Sequence, residues 1–374
     1  MKEEKFIPVN KPLLDGNEKK YLAECIDSGW ISSEGPFVSE FEEKFAKRVS
    51  RTYGIAVSNG SVAIDAALEA LEVGPGDEVI MPSFTIISCI NHIIRKDALP
   101  ILIDSDPITW NMDVNQIEKH ITKKTKVIMV VHIYGLPVDI NPILSLAKKY
   151  NLKILEDAAE MHGQTYRNFP CGSFGDISTF SFYPNKHITT GEGGMIVTND
   201  EDLYNKCRSL RNLCFGKKDR FVHEDLGWNM RMTNMQAAIG LAQLERLDEF
   251  VQIKRKMGQL YSELLSGIDE IQLPLKETEY SKNIYWVYGL VLKQNSKKNV
   301  SDIISYLKEN GVGSRNFFYP MHKQPILIQK GYFKKVSLPI SEYMSDNGFY
   351  IPSGLNLNEL EIRKVAKILL NYFK

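Results

Sequence analysis

A lysine in a mostly uncharged stretch is the feature of this chain that most clearly suggests chemistry. Lys186 lies five residues after Ser181, within a segment, 179–194, that ends in two glycines. Lysine is nucleophilic only as the neutral amine, so a reactive lysine lies where burial and nearby cations lower its pKa. Its characteristic reaction is imine formation with an aldehyde. The alternative is a lysine exposed on a loop, because most lysines are exposed.

A carboxylate at the end of a predicted strand supports the reactive lysine. The apolar run 152–157 predicts a buried strand that ends in Asp157. Ligands of α/β proteins bind at the carboxyl ends of the strands. A carboxylate there can keep the pyridine nitrogen of pyridoxal phosphate protonated, which makes the ring an electron sink. The alternative for Asp157 is the N-cap of a helix that begins with the following alanines.

A glycine between a short strand and an alanine-rich helix predicts a phosphate-binding turn. The strand is predicted over 54–57, and the chain passes through Gly60 and Ser61 into the helix. Helix N-termini bind anions through unpaired N–H groups, and glycine lets the backbone approach a phosphate closely. The sequence has neither a Walker lysine nor the spaced glycines of a dinucleotide fold here, so it does not predict a nucleotide fingerprint.

Polar residues also precede a later helix, in the segment 227–240. Thr233 is expected to cap that helix. Capping does not explain Asn229 and Arg231. Together with the phosphate turn, the strand-end aspartate and the lysine, these residues predict a bound pyridoxal phosphate.

The chain resembles the DegT/DnrJ/EryC1/StrS family of sugar aminotransferases over nearly its whole length, and within it the GDP-perosamine synthase group. The segments that carry the resemblance are 7–12, 28–36, 181–194, 317–322 and 351–354. The resemblance implies an α/β protein of fold type I, the aspartate aminotransferase-like fold of pyridoxal-phosphate-dependent transferases. It also implies a homodimer with shared active sites.

The resemblance assigns roles to individual residues. Lys186 is the expected catalytic residue. The expected cofactor-binding residues are Gly60, Ser61, Ile86, Asp157, Glu160, Ser181, Lys186 and Asn229, of which Asn229 would reach the cofactor phosphate of a neighbouring subunit. The expected substrate-binding residues are Trp30, Arg231, Arg315, Tyr319 and His322.

Three of these positions and the neighbouring His187 need comment. Glu160 is expected near the cofactor ring, with a helix-start carboxylate as the alternative. Ile86 departs from the family, which usually has an aromatic residue stacked on the ring at this position. His322 would lie near the sugar nucleotide, with a structural histidine as the alternative. His187 adjoins Lys186, and a dehydratase branch of the family has histidine in place of the lysine; the spacing from Ser181 indicates that the lysine is present.

Composition excludes several classes of partner. The chain has 374 residues, with 46 basic and 46 acidic side chains, which predicts no binding to nucleic acid or to an anionic membrane. Five cysteines without motif spacing predict free thiols in a reducing cytoplasm, and the charged segment 1–6 lacks the apolar core of a signal peptide. Seven histidines include no pair at zinc spacing, so no metal is expected.

Short β-branched runs alternate with helical patterns along the first two thirds of the chain. This pattern predicts a mainly parallel sheet with helices on both faces. Two runs, 177–182 and 194–198, are too close in sequence for a helical crossover, so they are expected to be neighbouring strands around the lysine. A long helix is predicted after residue 234. We expect a large cofactor-binding domain with an N-terminal arm over 1–250 and a small α+β domain over 251–374.

The sequence therefore predicts an aminotransferase that places an amine from L-glutamate on a nucleotide-linked 4-keto-6-deoxy sugar. The resemblance favours GDP-4-keto-6-deoxymannose as the substrate and GDP-perosamine as the product. Two alternatives remain open. One is an aminotransferase that acts at C4 or C3 of a UDP- or dTDP-linked keto-sugar, and the other is a regulatory or sensor protein that uses the fold without turnover.

Overall fold

The computed structural model describes residues 6–216 and 218–374. The charged N-terminal residues 1–5 and Lys217 lie outside the described residues. The α-helices are α1 (Glu18–Ser28), α2 (Pro36–Arg48), α3 (Gly60–Ala70), α4 (Ser88–Arg95), α5 (Ile140–Tyr150), α6 (Glu201–Arg211), α7 (Asn234–Leu244), α8 (Leu247–Leu265), α9 (Val300–Glu309), α10 (Pro325–Gln329), α11 (Pro339–Asn347) and α12 (Glu359–Tyr372). The strands are β1 (Tyr53–Val57), β2 (Glu78–Pro82), β3 (Leu99–Ile103), β4 (Thr125–Val131), β5 (Lys153–Asp157), β6 (Thr165–Tyr166), β7 (Phe169–Pro170), β8 (Ile177–Ser181), β9 (Gly194–Thr198), β10 (Ile271–Gln272), β11 (Tyr288–Leu292), β12 (Arg315–Asn316) and β13 (Gly348–Ile351).

A seven-stranded sheet forms the centre of the fold, in the order β1-β9-β8-β5-β4-β2-β3. The pairs from β8 through β5, β4 and β2 to β3 are parallel. Strand β9 is antiparallel to both of its neighbours, β8 and β1. The prediction of a mainly parallel sheet, with 177–182 and 194–198 as neighbouring strands, is confirmed.

Both faces of this sheet are buried, and the strands show it residue by residue. Along β4, Val127, Met129 and Val131 belong to one apolar cluster, which includes residues of α3, α4 and α6. The alternate residues Ile128 and Val130 belong to a second cluster, which includes residues of α2, α5 and α8. Because successive side chains of a strand point to opposite faces, the helices form two layers around the sheet.

Strand register brings four strand ends to one edge of the sheet. Val131 at the end of β4 pairs with Asp157 at the end of β5, which in turn pairs with Thr179 in β8. Ser181 at the end of β8 pairs with Gly194, and Gly194 also pairs with Val57 at the end of β1. The strand-end carboxylate, the lysine loop and the glycine turn after β1 therefore meet at the edge where α/β proteins bind ligands.

A second, four-stranded antiparallel sheet has the order β10-β11-β13-β12. It packs with α8, α9 and α12 around a third apolar cluster, whose members all follow residue 256 except Ile7. Ile7 pairs with Val312, so the N-terminal arm adds to this part of the molecule. Helix α8 runs from the second cluster into the third, which places the change between the two parts within this helix.

The prediction of one long helix after residue 234 is wrong, because the chain forms two helices, α7 and α8, with a break at residues 245–246. Arg246 leaves the helical region with φ −111° and ψ 9°, and its guanidinium binds Asp15 and Glu249. The apolar pattern continues through the break, so periodicity does not reveal it. The predicted cap is confirmed, since Thr233 and Gln236 form a capping box at the start of α7.

Within the described ranges, no helix has both the length and the apolar character needed to cross a membrane. The same residues include no group of three or more His, Cys, Asp or Glu side chains that could hold a metal ion.

Candidate active site

The loop that joins β8 to β9 carries Lys186 and is held closed by its own backbone. The N–H of Phe182 donates to the carbonyl of Gly193 at 2.8 Å, and the N–H of Thr190 donates to the carbonyl of Phe182 at 3.0 Å. A tighter turn lies inside, where the N–H of Lys186 donates to the carbonyl of Tyr183 at 2.9 Å. The lysine is therefore presented from a defined turn at the edge of the sheet.

The side chain of Lys186 is 11% exposed, so it is not the solvated loop lysine that was the alternative. Its Nζ lies 3.8 Å from Oε1 of Glu160 and 3.9 Å from the centre of the Trp286 ring. Burial lowers the pKa of the Lys186 amine, while the charges of Glu160 and Asp157 act in the opposite direction. Burial is thus the cause that brings this amine towards its nucleophilic form.

Asp157 ends β5 and is 4% exposed. Its Oδ1 accepts a hydrogen bond from the backbone N–H of Ala159 at 3.0 Å, and the thiol of Cys89 lies 3.4 Å from Oδ2. Burial raises the pKa of Asp157, and the Ala159 N–H and the charge of Lys186 lower it. No helix begins after Asp157, because the described segment 158–164 forms only turns. The helix-cap alternatives for Asp157 and Glu160 are therefore excluded.

Glu160 is buried beside the lysine, with 6% of its surface exposed. Its Oε2 accepts a hydrogen bond from the backbone N–H of Tyr134 at 2.6 Å. Burial raises the pKa of Glu160 to about 7, against the charge of Lys186 and the Tyr134 N–H, which lower it. The carboxyl group can therefore gain or lose a proton near neutral pH.

The glycine turn after β1 forms a cradle against the end of β8. Asn59 caps α3 by accepting a hydrogen bond from the N–H of Val62 at 3.0 Å, and the helix begins at Gly60. A Cβ atom at Gly60 would lie 2.7 Å from Cβ of Ser181, so only glycine fits between them. The hydroxyl of Ser61 lies 2.6 Å from that of Ser88 at the start of α4. Hydroxyls and a helix N-terminus thus converge in the way that a phosphate requires.

Two buried polar atoms near the cradle fit a polar ligand. The hydroxyl of Thr179 and Oδ1 of Asn185 are buried and have no hydrogen-bond partner in the protein. Both residues line the same cavity as Lys186 and Asp157. Because buried polar groups are almost always paired, these atoms and the cradle at Gly60 fit pyridoxal phosphate, which carries an aldehyde, a ring hydroxyl, a ring nitrogen and a phosphate.

One cavity of about 630 Å³ collects most of the predicted cofactor residues. Seven of them line it: Gly60, Ser61, Ile86, Asp157, Glu160, Ser181 and Lys186. Ile86 lies at its rim and is 48% exposed. A second cavity of about 730 Å³ adjoins the first and shares Tyr183, Asn185 and Tyr350 with it. The two cavities together offer room for a ligand much longer than the cofactor.

The other predicted residues do not line the first cavity within one chain. Arg315 lines the adjoining cavity. Asn229 is exposed, and the half-buried Arg231 donates to Oδ1 of Asn212 at 2.7 Å. Trp30 and Tyr319 have about half of their surfaces exposed, at 50% and 49%.

His322 is only 2% exposed. Its Nδ1 lies 2.7 Å from the hydroxyl of Ser83, and its Nε2 lies 2.9 Å from Oε1 of Glu342. Both ring nitrogens are thus engaged inside the protein, and the ring is absent from the lining of both cavities. This geometry matches the structural alternative and gives no support to a contact with substrate.

Sequence reasoning missed the aromatic wall of the cavity. Trp286, Phe318 and Tyr350 line it from chain segments that lie more than ninety residues after Lys186. The indole N–H of Trp286 donates to the carbonyl of Asn185 at 2.8 Å, which fixes the ring under the lysine loop. The aromatic run 284–288 reads as an ordinary buried strand, so no signal in it indicates a site.

The sequence profile described as the DegT/DnrJ/EryC1/StrS aminotransferase family matches residues 12–370 of the chain. Among curated proteins, the GDP-perosamine synthase of Escherichia coli O157:H7 is 41% identical over 369 residues, which cover 99% of each chain. The GDP-perosamine synthase of Caulobacter vibrioides is 42% identical, over 97% of each chain.

Among solved structures, the aminotransferase from Psychrobacter cryohalolentis superposes with a TM-score of 0.92. It is 28% identical to this chain, and the match covers 98% of each. The likeness extends over both sheets, so it includes the elements that form the cavity.

Proposed function

Since the chain belongs to the DegT/DnrJ/EryC1/StrS aminotransferase family, we propose that it is a pyridoxal-phosphate-dependent aminotransferase that makes GDP-perosamine. It transfers the amino group of L-glutamate to C4 of GDP-4-keto-6-deoxymannose. Two relatives named GDP-perosamine synthase, each more than 40% identical over nearly the whole chain, support this choice of sugar.

The observation that carries the proposal is the position of the Lys186 amine. It is buried at the carboxyl edge of the sheet, 3.8 Å from a carboxylate, in a cavity that also contains Asp157 and the cradle at Gly60. A regulator without turnover would need neither a buried lysine nor a carboxylate buried beside it. Burying each of these charges costs about several kcal/mol. A catalytic role explains why the protein keeps them buried despite this cost.

The chain's residues would hold the cofactor by three contacts. Gly60, Ser61 and Ser181 would bind its phosphate, Asp157 would pair with its ring nitrogen, and Lys186 would bond to its aldehyde carbon. When bound, pyridoxal phosphate supplies an electron-withdrawing ring and a carbon that carries the amino group from donor to acceptor.

Lys186 is the proposed proton carrier. Its free amine would remove the proton from Cα of the amino donor and deliver it to the cofactor carbon that carries the amino group. The same amine would move a proton in the opposite direction when the keto-sugar reacts. The Ala159 N–H, which donates to Oδ1 of Asp157, and the charge of Lys186 favour the ionised carboxylate that would pair with the ring nitrogen, whereas burial acts against it. The Trp286 ring, whose centre lies 3.9 Å from Nζ, excludes water from the part of the amine that it covers.

The proposal includes a homodimer in which each subunit completes the site of its neighbour. Asn229 is exposed and does not line the cavity of its own chain. We assign it to the phosphate of the cofactor bound by the other subunit, and we assign Trp30 and Arg231 to the substrate. A two-fold axis makes such an exchange reciprocal.

We place the reaction in the cytoplasm. All five cysteines are free and buried, which is the usual state of thiols in a reducing compartment.

The test of the substrate is a direct assay. The purified protein is incubated with L-glutamate, pyridoxal phosphate and, one at a time, GDP-, UDP- and dTDP-linked 4-keto-6-deoxy sugars, and the amino-sugar product is identified by mass spectrometry. We expect the GDP-linked sugar to acquire the amine. Amination of a UDP- or dTDP-linked sugar in preference to it would overturn the choice of nucleotide, and no amination of any of them would overturn the function.

The test of the lysine is reduction with borohydride. We expect the protein with pyridoxal phosphate to be yellow, and borohydride to fix the cofactor to the peptide that contains Lys186. Lys186→Ala should keep its fold, as judged by circular dichroism, and lose turnover. Labelling at any other lysine would refute the assignment.

A further inference from the structure

The amine of Lys186 lies close to two groups of different character. Oε1 of Glu160 is 3.8 Å from Nζ, and the centre of the Trp286 ring is 3.9 Å from it. The distance to Glu160 is that of an ion pair, slightly longer than a hydrogen bond. The face of an indole attracts a cation and offers it no acceptor for a proton. Of these two neighbours, only the carboxylate can exchange a proton with the amine.

The backbone fixes the orientation of this carboxylate. The N–H of Tyr134 donates to Oε2 of Glu160 at 2.6 Å, which leaves Oε1 facing Lys186. Tyr134 is itself fixed, since its ring is buried and its hydroxyl accepts a hydrogen bond from the N–H of Phe318 at 3.3 Å. Its backbone has φ of 58°, a conformation that non-glycine residues rarely adopt. Glu160 is therefore held towards the lysine by a defined turn.

The ring of Trp286 is fixed just as firmly. Its N–H donates to the carbonyl of Asn185, and its own carbonyl accepts a hydrogen bond from Nζ of the buried Lys254 at 2.8 Å. Neither neighbour of the amine can therefore move without breaking contacts elsewhere. Oε1 of Glu160 and the Trp286 ring are therefore held at 3.8 Å and 3.9 Å from the Lys186 amine.

The other titratable side chains whose charges act on the amine are Asp157, Cys89, His162 and His187. Burial lowers the pKa of His162 to about 3 and that of His187 well below its ordinary value, so both rings are neutral. Burial raises the pKa of Cys89 well above its ordinary value, so it remains a thiol. Asp157 is committed to the Ala159 N–H and, in the proposed function, to the ring nitrogen. Glu160 is left as the group beside Lys186 that can change its protonation near neutral pH.

From this geometry we infer that Glu160 is a second catalytic residue, which takes a proton from the Lys186 ammonium and returns it to the same nitrogen. The inference rests on the proposed function for its role in turnover. In the forward step one N–H bond of the ammonium breaks and one O–H bond forms on Glu160. The electron pair left on Nζ is then free to attack carbon or to accept a proton from Cα. In the reverse step the O–H bond breaks and the N–H bond reforms, so the pair neither gains nor loses a proton.

The experiment compares wild type with Glu160→Gln. Glutamine keeps an oxygen that can accept from the Tyr134 N–H, but it has no negative charge and cannot take up a proton from the Lys186 ammonium near neutral pH. The first readout uses the full-length protein without added cofactor. Trace acetic anhydride labels Lys186 between pH 5 and 10, the labelled peptide is quantified by mass spectrometry, and the exposed Lys297 serves as the internal reference. The midpoint of labelling reports the pKa of the Lys186 amine.

We expect the labelling midpoint of Glu160→Gln to fall by about 1–3 pH units, because the negative charge that favours the ammonium is gone. The second readout is turnover. kcat should fall by roughly 10²–10⁴-fold, the usual contribution of a proton-transfer group, while KM for the amino donor changes little. The kcat–pH profile should also lose its inflection near pH 7.

Three results would overturn the inference. An unchanged labelling midpoint would mean that Glu160 does not act on the amine. A lowered midpoint with unchanged kcat would mean that Glu160 tunes the amine and carries no proton. A kcat loss that leaves the pH profile intact would indicate a structural role. Wild type that transfers no amino group would instead contradict the proposed function, and the labelling result does not depend on it.

Glu160→Asp provides the second variant. Aspartate keeps the charge and withdraws it by one methylene group. The labelling midpoint should therefore stay closer to that of wild type than in Glu160→Gln, and kcat should be partly retained. Aspartate that behaves like glutamine in both readouts would count against proton exchange by the carboxylate.

Discussion

The fit between Gly60 and Ser181 makes Gly60→Ala the sharpest test of the phosphate cradle. Gly60 is the first residue of α3, where alanine by itself would favour the helix. The added Cβ would lie 2.7 Å from Cβ of Ser181, 3.1 Å from its Oγ and 3.3 Å from its Cα. Because Cβ of Ser181 is attached to the backbone of β8, rotation of the side chain cannot relieve the contact. The two chain segments must move apart.

The magnitude follows from two opposing effects. Replacing glycine with alanine in a helix stabilises it by roughly 0.5–1 kcal/mol, and overpacking a filled site costs about 1–3 kcal/mol. The clash therefore exceeds the gain from the helix. To bind the phosphate, the two separated segments must come back together, which restores the clash. The free energy of the clash is therefore the largest loss of binding free energy that the substitution should cause. A loss of about 1–3 kcal/mol corresponds to a roughly 5- to 140-fold weaker Kd.

The assay measures the Kd of pyridoxal phosphate by absorbance titration and the melting temperature without cofactor. The matched control is Gly267→Ala, because a Cβ there meets nothing within 4 Å. We expect the control to bind the cofactor like wild type and to melt at the same or a slightly higher temperature. Gly60→Ala should bind more weakly and melt lower. A Gly60→Ala protein with wild-type affinity and melting temperature would refute the cradle.

Three further predictions concern the same cavity. Asp157→Asn should lower kcat by roughly 10²–10³-fold, because it removes a charge that stabilises the reacting ring. Cofactor methylated on the ring nitrogen is permanently positive and should restore part of the activity, and no restoration would argue against pairing of Asp157 with that nitrogen. Ile86→Tyr should slow the release of pyridoxamine phosphate by roughly 2- to 12-fold, since a stacked ring adds about 0.5–1.5 kcal/mol and Ile86 is 48% exposed at a rim with room; equal or faster release from a folded variant would show that position 86 does not cover the ring. Mixing inactive Lys186→Ala with inactive Asn229→Ala subunits should restore some activity, because a hybrid dimer has one intact site, and a fully active monomer in sedimentation experiments would contradict the sharing.

The residues predicted best from the sequence are those whose positions follow from local sequence patterns, such as the end of a strand or the start of a helix. Asp157 ends a buried strand, and register then sets it beside the segment that carries Lys186. Gly60 lies between a strand and a helix, where a close approach was expected, although its partner Ser181 was recognised only by resemblance. Each of these positions depends on a strand end, and strand ends are readable from short apolar runs.

The residues that escaped prediction depend on tertiary packing. Trp286 comes under Lys186 because its N–H meets the carbonyl of Asn185, a pairing between segments that are far apart in sequence. The acidity of Glu160 depends on how completely the neighbouring turns bury it. For His322 the sequence left two alternatives, and only tertiary packing places Ser83 and Glu342 at its two nitrogens.

The positions of the cysteines make thiol alkylation a probe of unfolding in one part of the molecule. All five thiols are buried, and all precede residue 215: Cys25, Cys89, Cys171, Cys207 and Cys214. A buried thiol is inert until local opening exposes it, and the four-stranded sheet contributes none. Alkylation in increasing urea would therefore follow the opening of the central-sheet part alone, while loss of total helix signal follows the whole chain. Coincident alkylation and helix-signal curves would mean that the two parts unfold as one cooperative unit. Loss of helix signal at lower urea than alkylation would mean that the C-terminal part unfolds first.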